Sequence, residues 1–530
     1  MNQYDKALII GIDGATWDIL TPLIEEGHLP NLSRLTDEGV KGELRSIVPP
    51  VTAPAWTSFQ TGVNPGKHGI YDFQNFDNRT HESSIVNSSK IPLPTIWDLA
   101  NSSDLDVATV NVPMTYPPSE TPGRVTIGGL LSPKEGDYMY PEELKDPLLN
   151  DIGYMINGGP LERRISMDLD KFIEEETEVE RRRFKSARFI MDNHNWDLFM
   201  IHIQSSDGIQ HCYYPFLDPN SSKFTRGKYD QIIPFYEEMD RQVGKLLDKA
   251  GDVPTFIISD HGFRELKTYI NLNAWLRDEG YLKTSGPNLM SRLVELARRI
   301  DFLKVGKRII GKFMDDFLSL RNVASDLNTS SIDWDESLAF MPNGTVFGTL
   351  SYLNDVGSAS KREIEQKLLN LTEPDSDIKS VTEIHRRDDC FCGERKDSLP
   401  DLFLHPGDGY AFGVPMVMEK NVFRDVNYPS EYLGTHAMNG IIVANGPGIK
   451  SGHRLNSNPV LYDVAPTIMA VLGLPVPSYM DGKVLTSLFS EELKFEVEDR
   501  PDPYRDREGP STKTDTSEEV KDRLEDLGYL

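Results

Sequence analysis

An α/β protein built on one large, mostly parallel sheet is the fold class this sequence predicts, and three observations point to it. Five apolar runs of strand length, ALIIGI (7–12), VATVN (107–111), LFMIHIQ (198–204), TFIIS (255–259) and GIIVA (440–444), are hydrophobic at consecutive positions. Continuous rather than alternating hydrophobicity suits strands covered on both faces. Helical patterns lie between them: NLSRLTDEG (31–39), TEVERRRFKSARFIMDN (177–193) and YEEMDRQVGKLLDKAG (236–251), the last stopping at a glycine just before the strand at 255. The 530 residues are 38% hydrophobic and 9% aromatic, enough for a large buried core and too much for a disordered chain.

Taken in order, residues 1–275 carry the first part of the core. Within them, 115–165 are rich in proline and glycine and read as a long loop beside a site. Residues 276–400 break the pattern, first with the helical pair SRLVELARRIDFLKVGKRIIGKFMDDFLSLRN, then with a small α+β passage around AFMPNGTVFGTLSYL, REIEQKLLNL and IKSVTEIHRR. They are expected to form an inserted cap, after which 401–495 complete the core. In 496–530, VEDRPDPYRDREGPSTKTDT reads as a flexible linker. SEEVKDRLEDLGYL then opens with a capping signal and sets Val520, Leu524 and Leu527 on one face, as a short docking helix would.

Composition excludes some classes. With 83 acidic against 56 basic side chains the net charge is −27, which opposes any broad nucleic-acid-binding surface. No stretch approaches the roughly 18 apolar residues of a membrane span, and MNQYDKALIIGIDG reads as strand and turn rather than as a signal peptide. Cys212, Cys390 and Cys392 are too few for a disulfide framework, and DDCFCGE lacks the second pair of a zinc knuckle. A cytoplasmic enzyme is therefore expected. Between Lys283 and Arg321, nine basic residues face four acidic ones. A solvated basic face is favoured there over a lid on a phosphate-bearing or lipid-linked substrate, and over peripheral membrane contact.

Three aspartates follow three of the apolar runs directly: Asp13 after ALIIGI, Asp207 after LFMIHIQSS and Asp260 after TFIIS. A single Asp there is usually a turn former, but ligands of open α/β sheets bind outside the carboxyl ends of strands, where all three could converge. His211 lies four residues after Asp207, on the same side if that segment is helical. His261 follows Asp260 and precedes a glycine, and His436 sits between the two glycines of GTHAMNG. Carboxylates mixed with imidazoles suit zinc-like ions. A hydroxyl nucleophile is offered by Thr52 in PPVTAPAWTSFQTG, stiffened by Pro49, Pro50 and Pro54; a helix start there would favour a phosphate beside it, although a plain N-cap is the commoner role.

These segments, GIDG (11–14), VTAPAWTSFQTG (51–62), HGI (68–70), SSDGIQH (205–211), SDHG (259–262) and GTHAMNG (434–440), resemble the alkaline phosphatase superfamily, nearest its type I phosphodiesterase and nucleotide pyrophosphatase branch. YDVAPTIMAVLGLPVPSYMDGKVL (462–485) resembles the C-terminal signature those enzymes share with sulfatases. The resemblance covers about 5–275 and 400–490. It implies an alkaline-phosphatase-like α/β/α sandwich holding two divalent metal ions, with zinc favoured and manganese or iron as the alternatives. Asp13, Thr52, Asp260 and His261 match the ligands of the nucleophile-side ion, and Asp207, His211 and His436 those of the other. It implies hydrolysis of a phosphodiester or pyrophosphate bond through a phospho-threonine at Thr52, on a small-molecule or lipid-linked phosphate ester. A phosphomonoesterase or mutase-like phosphotransferase is the alternative, and a non-catalytic ligand-binding relative a lesser one.

Two positions depart from the branch. The asparagine that often follows the nucleophile by about twenty residues is replaced by Phe73, so the Ala53 amide or Asn75 becomes the candidate donor to substrate. Trp56 stands where sulfatases carry arginine, and Thr at position 52 cannot form formylglycine, which removes the sulfatase reading. Trp56 and Phe73 remain open between pocket wall and core. His68 reads as a loop-fixing residue, and Cys212 as packing.

Overall fold

Strands buried on both faces set the architecture. The computed structural model describes residues 4–133, 137–157, 167–284, 331–344, 346–413, 417, 419–426, 431–500, 520 and 524. These divide into two compact units, one carried by Met1–Lys267, Arg387–Leu399 and Val426–Leu530, the other by Thr268–Arg386 and Pro400–Asp425.

The first unit holds a nine-stranded sheet: β1 (Ala7–Ile12), β2 (Val40–Arg45), β3 (Val107–Val112), β4 (Arg124–Gly128), β5 (Met139–Tyr140), β6 (Leu198–Ile203), β7 (Thr255–Ile258), β8 (Asn439–Asn445) and β9 (His453–Arg454). Their spatial order is β9-β2-β8-β7-β1-β6-β3-β4-β5. The run β7-β1-β6-β3-β4 is parallel throughout, while β8 lies antiparallel between β7 and β2, and β5 is antiparallel at the far edge. Side chains of β1 alternate between two cores: Leu8, Ile10 and Ile12 enter one, Ala7 and Ile9 the other. β6 and β8 divide in the same way, so an apolar residue at every position is what the sheet requires.

Helices close both faces. One core is covered by α1 (Trp17–Glu25), α2 (Pro30–Glu38), α5 (Leu169–Asn193), α6 (Ser205–Leu217) and α7 (Arg226–Ala250); the other by α3 (Thr52–Thr61), α4 (Ile96–Asn101) and α8 (Val464–Val471). This is the expected α/β/α sandwich with a mostly parallel sheet. Trp56 and Phe73 are core residues, 0% and 1% exposed, and Cys212 is buried packing. The expected long loop at 115–165 is corrected, because β4 and β5 lie inside it and extend the sheet. RVTIG and MY are too short to show a periodicity of their own, and pairing with β3 makes the first of them a strand.

Val520 and Leu524 are helical and buried, and they share a cluster with Val51, Ala53, Ile70 and Phe73 around the start of α3. The basic helical pair falls outside the described residues from 285 on, as does the tail at 501–519. The second unit contains an antiparallel sheet in the order Ala339–Phe340, Gly348–Tyr352, Leu402–Pro406, Val381–Arg386, with a helix at Ser358–Leu368. Among the described residues no helix is long and apolar enough to cross a membrane.

His68 ties the short turn after α3 to that helix. Its Nδ1 accepts from the Ile70 N–H at 3.1 Å, which leaves Nε2–H to donate to Ser58 Oγ at 2.8 Å. Burial pushes its pKa from 6.5 down to about 3. Between those values the unfolded chain binds a proton that the native state refuses, so stability falls as pH drops below 6.5 and is unaffected by this group above it. Going from pH 7 to pH 5 should cost about 2 kcal/mol through His68. Urea midpoints of His68→Gln at the two pH values should show that much less acid sensitivity than the wild type; equal sensitivity would mean that His68 is not held neutral.

Candidate active site

The site lies where the parallel strands end. Asp13 follows β1 directly, Asp207 sits in the first turn of α6 after β6, and Asp260 follows β7. β8 runs the opposite way, so the short strand preceding it, Gly434–Ala437, brings His436 to the same edge, where it pairs with Gly262–Glu265 beside Asp260 and His261. β2 leads through the proline loop to Thr52, the first residue of α3. Val51, not Thr52, is the N-cap, and its side chain makes no capping bond. The Thr52 hydroxyl is therefore not spent on the helix; its Oγ1 lies 3.5 Å from His261 Nε2.

All seven expected ligand positions meet here, and all are buried: Asp13, Thr52, Asp207, Asp260 and His261 at 0% exposure, His436 at 2% and His211 at 7%. His261 Nε2 lies 3.4 Å from Asp13 Oδ1 and 3.3 Å from Asp260 Oδ2. Asp207 Oδ1 lies 3.4 Å from both His211 Nε2 and His436 Nε2. Asp13, Asp260 and His261 form one group able to hold a metal ion, and Asp207, His261 and His436 another, so His261 stands between them.

The imidazole tautomers follow from the backbone. His211 Nδ1 faces the Gly434 carbonyl at 3.1 Å, His261 Nδ1 that of Gly262 at 3.1 Å, and His436 Nδ1 that of Pro50 at 2.8 Å. A carbonyl only accepts, so each Nδ1 carries a proton and each Nε2 is turned toward the site. His211 Nε2 and His436 Nε2 are 3.0 Å apart, a separation that a hydrogen bond between them or a cation held by both would satisfy. Both oxygens of Asp13 and Oδ2 of Asp260 are buried without a hydrogen bond of proper geometry. Burial and then the charge of Asp207 push the Asp13 carboxyl well up, and burial and then Asp13 do the same to Asp260. His261 is held well below its ordinary value by burial and then by His436. A buried set of carboxylates and imidazoles fits divalent ions with nitrogen and oxygen ligands.

The supports of these groups were not visible in the sequence. His202, without an obvious partner in sequence, is fully buried on β6 with Nε2 3.1 Å from Asp13 Oδ2. Ser206 Oγ donates to the Asp13 carbonyl at 2.7 Å, and Gln210 Nε2 to that of Gly14 at 3.0 Å. Gly14 has φ +66°, and a Cβ there would come within 2.5 Å of Phe263, so the turn after Asp13 requires glycine. Of the two candidate substrate donors, Ala53 lies at the start of α3, where amides have no carbonyl within the helix to bond. Asn75 instead donates from Nδ2 to the Gly69 carbonyl at 2.6 Å and accepts from the Tyr71 N–H at 3.5 Å, so its amide holds its own turn.

Comparison with known proteins gives a family match and a fold match. The sequence profile of the type I phosphodiesterase / nucleotide pyrophosphatase family matches residues 7–320. Ectonucleotide pyrophosphatase/phosphodiesterase family member 1 of Mus musculus is 25% identical over 277 residues, 48% of this chain and 24% of that protein. Its Rattus norvegicus counterpart is 25% identical over 289 residues, 51% of this chain and 26% of its own. The match thus spans only about a quarter of the length of these relatives. Among solved structures, phosphonoacetate hydrolase from Sinorhizobium meliloti 1021, bound to phosphonoformate, superimposes with a TM-score of 0.56 at 14% identity, covering 88% of this chain and 94% of that one. That likeness establishes a common fold.

One buried ion pair anchors the helix that carries Asp207 and His211. Glu180 and Arg183 on α5 are 2% and 1% exposed and bond each other. Glu180 Oε1 also accepts from the N–H groups of Gln204 and Ser205 at 3.1 and 2.9 Å, capping the start of α6 with a negative charge. Glu180→Gln should cost about 3–5 kcal/mol, because Arg183 is left buried and unpaired. Glu180→Gln/Arg183→Met should recover part of that loss. Denaturant midpoints measure both; a single-variant loss under about 1 kcal/mol would mean the pair does not hold α6.

Proposed function

Since the chain belongs to the type I phosphodiesterase / nucleotide pyrophosphatase family, we propose that it hydrolyses a phosphodiester or pyrophosphate bond, with Thr52 as nucleophile and two divalent ions as cofactors. The observation that carries this reading is the inward convergence of three imidazole Nε2 atoms and three carboxylates beside the Thr52 hydroxyl. Asp13, Thr52, Asp260 and His261 would hold one ion, and Asp207, His211 and His436 the other, with zinc the best fit to this donor set. When bound, such ions lower the pKa of a coordinated hydroxyl and offset charge on phosphoryl oxygens.

The chain's own residues supply the rest. The α3 start sets Thr52 Oγ1 at a helix N-terminus, where the Ala53 N–H and the helix dipole favour an anionic phosphoryl group. Attack of Oγ1 on phosphorus forms the Thr52 O–P bond as the bond to the departing alcohol or phosphate breaks, in line, and the proton lost by Thr52 ends on that leaving group. Water then attacks the phospho-threonine, breaking the O–P bond and returning Thr52 with its proton. His202, Ser206 and Gln210 keep Asp13 and the turn after it in place through these steps. The substrate remains a small-molecule or lipid-linked phosphate ester, and the cytoplasm the compartment we favour.

Purified, metal-loaded protein should cleave bis-p-nitrophenyl phosphate faster than p-nitrophenyl phosphate, and a chelator should abolish both. Faster cleavage of the monoester would move the assignment to a phosphatase or mutase on the same residues. Thr52→Ala should lower kcat by at least about 10³-fold while the protein keeps most of its bound metal. Unchanged turnover would remove Thr52 as nucleophile, and no turnover by any form would favour a ligand-binding relative.

A further inference from the structure

The second unit contains another set of metal-type ligands. Its sheet ends at the edge strand Val381–Arg386, which pairs antiparallel with Leu402–Pro406. Glu383 and His385 are two apart on the edge strand, so their side chains share a face. The register sets Glu383 directly opposite His405, which puts all three on that face. A register shift between Val381 and Glu383, the mark of a β-bulge, immediately precedes this alignment, and bulges commonly re-aim a side chain.

The side chains follow the register. Each residue offers one ligand atom, and the three atoms lie within 4.8 Å of one another. Glu383 Oε1 and His385 Nδ1 are 3.5 Å apart. Two donors on one tetrahedral ion, each about 2.0–2.1 Å from it, sit about 3.3 Å apart, so this pair is already at coordinating separation. Phe347 packs behind the imidazoles, its centroid 4.6 Å from that of His405 and 6.2 Å from that of His385, and so restricts both rings. His385 is buried at 8% exposure, whereas the Glu383 side chain is 62% exposed and leaves the site open to entering ions.

We infer that Glu383, His385 and His405 form a further metal site, selective for a zinc-type dication over calcium or magnesium because two of its three ligands are imidazoles. Bound there, the ion cross-links the edge strand to its neighbour. The site shares no residue with the candidate active site and does not rest on the function proposed for it.

The test is metal stoichiometry and affinity on full-length, chelator-stripped protein, titrated with Zn²⁺ and with Co²⁺. Whatever number the active site takes, Glu383→Gln/His405→Asn should bind one equivalent fewer than the wild type, since the active-site contribution cancels in the difference. Glu383→Gln alone, an exposed change that leaves the fold intact, should weaken one equivalent by at least about 10-fold. Zn²⁺ should also slow hydrogen exchange of the amides at 381–386 in the wild type and not in Glu383→Gln. Equal stoichiometry and affinities in the wild type and both variants, or exchange at 381–386 that Zn²⁺ slows equally in all, would overturn the site.

Discussion

One electrostatic constraint governs the site of the first unit: carboxylates and imidazoles are crowded together out of solvent. Three carboxylates and three Nε2 atoms meet at the carboxyl edge of the sheet, with all seven candidate ligand side chains nearly or fully out of solvent. In water such groups would each take their own hydration. Here that shell is replaced by the protein, and the repulsion is relieved only by positive charge. The elevated carboxyls of Asp13 and Asp260 and the depressed imidazole of His261 are the same constraint seen through protons. Without dications, protonation of the carboxylates is the other way to lower the charge density.

The backbone enforces this arrangement as much as the side chains do. Carbonyls of Gly434, Gly262 and Pro50 take the three Nδ1 protons, so no imidazole can flip its tautomer to escape its neighbours. The Pro50 carbonyl is the most telling of these. It belongs to the loop that delivers Thr52, so the ring orientation of His436 and the path of that loop are tied together by a bond of 2.8 Å. A disturbance of either is transmitted to the other without any intervening side chain.

The sequence made the centre of the fold legible because the sheet is covered on both sides. Unbroken apolar runs such as ALIIGI and LFMIHI then have one economical reading, and Asp13, Asp207 and Asp260 mark their ends. Peripheral strands were harder to see. β2 alternates between buried and more exposed positions, and β4 has only five residues within a proline- and glycine-rich stretch. The supporting shell was illegible for a different reason: His202 meets Asp13, and Glu180 meets the start of α6, only because separate strands and helices pack together. Nothing local in sequence separates His202 from any other histidine in an apolar strand. Asn75 shows the converse, an eligible side chain near the right place in sequence whose bonds are taken by its own turn.

The cluster beneath the Thr52 loop joins Val51 and Ala53 to Val520 and Leu524, residues far apart in the sequence. His436, which holds the Pro50 carbonyl, also comes late. During synthesis Thr52 therefore leaves the ribosome long before the groups that fix it exist. A nascent chain can build much of the sheet, yet its hydroxyl has neither the histidine nor the apolar floor that orient it. The candidate site thus waits for His436 and for the segment of Val520 and Leu524 to be made, and a chain that stops short of them has neither the full set of converging side chains nor the apolar floor beneath Thr52.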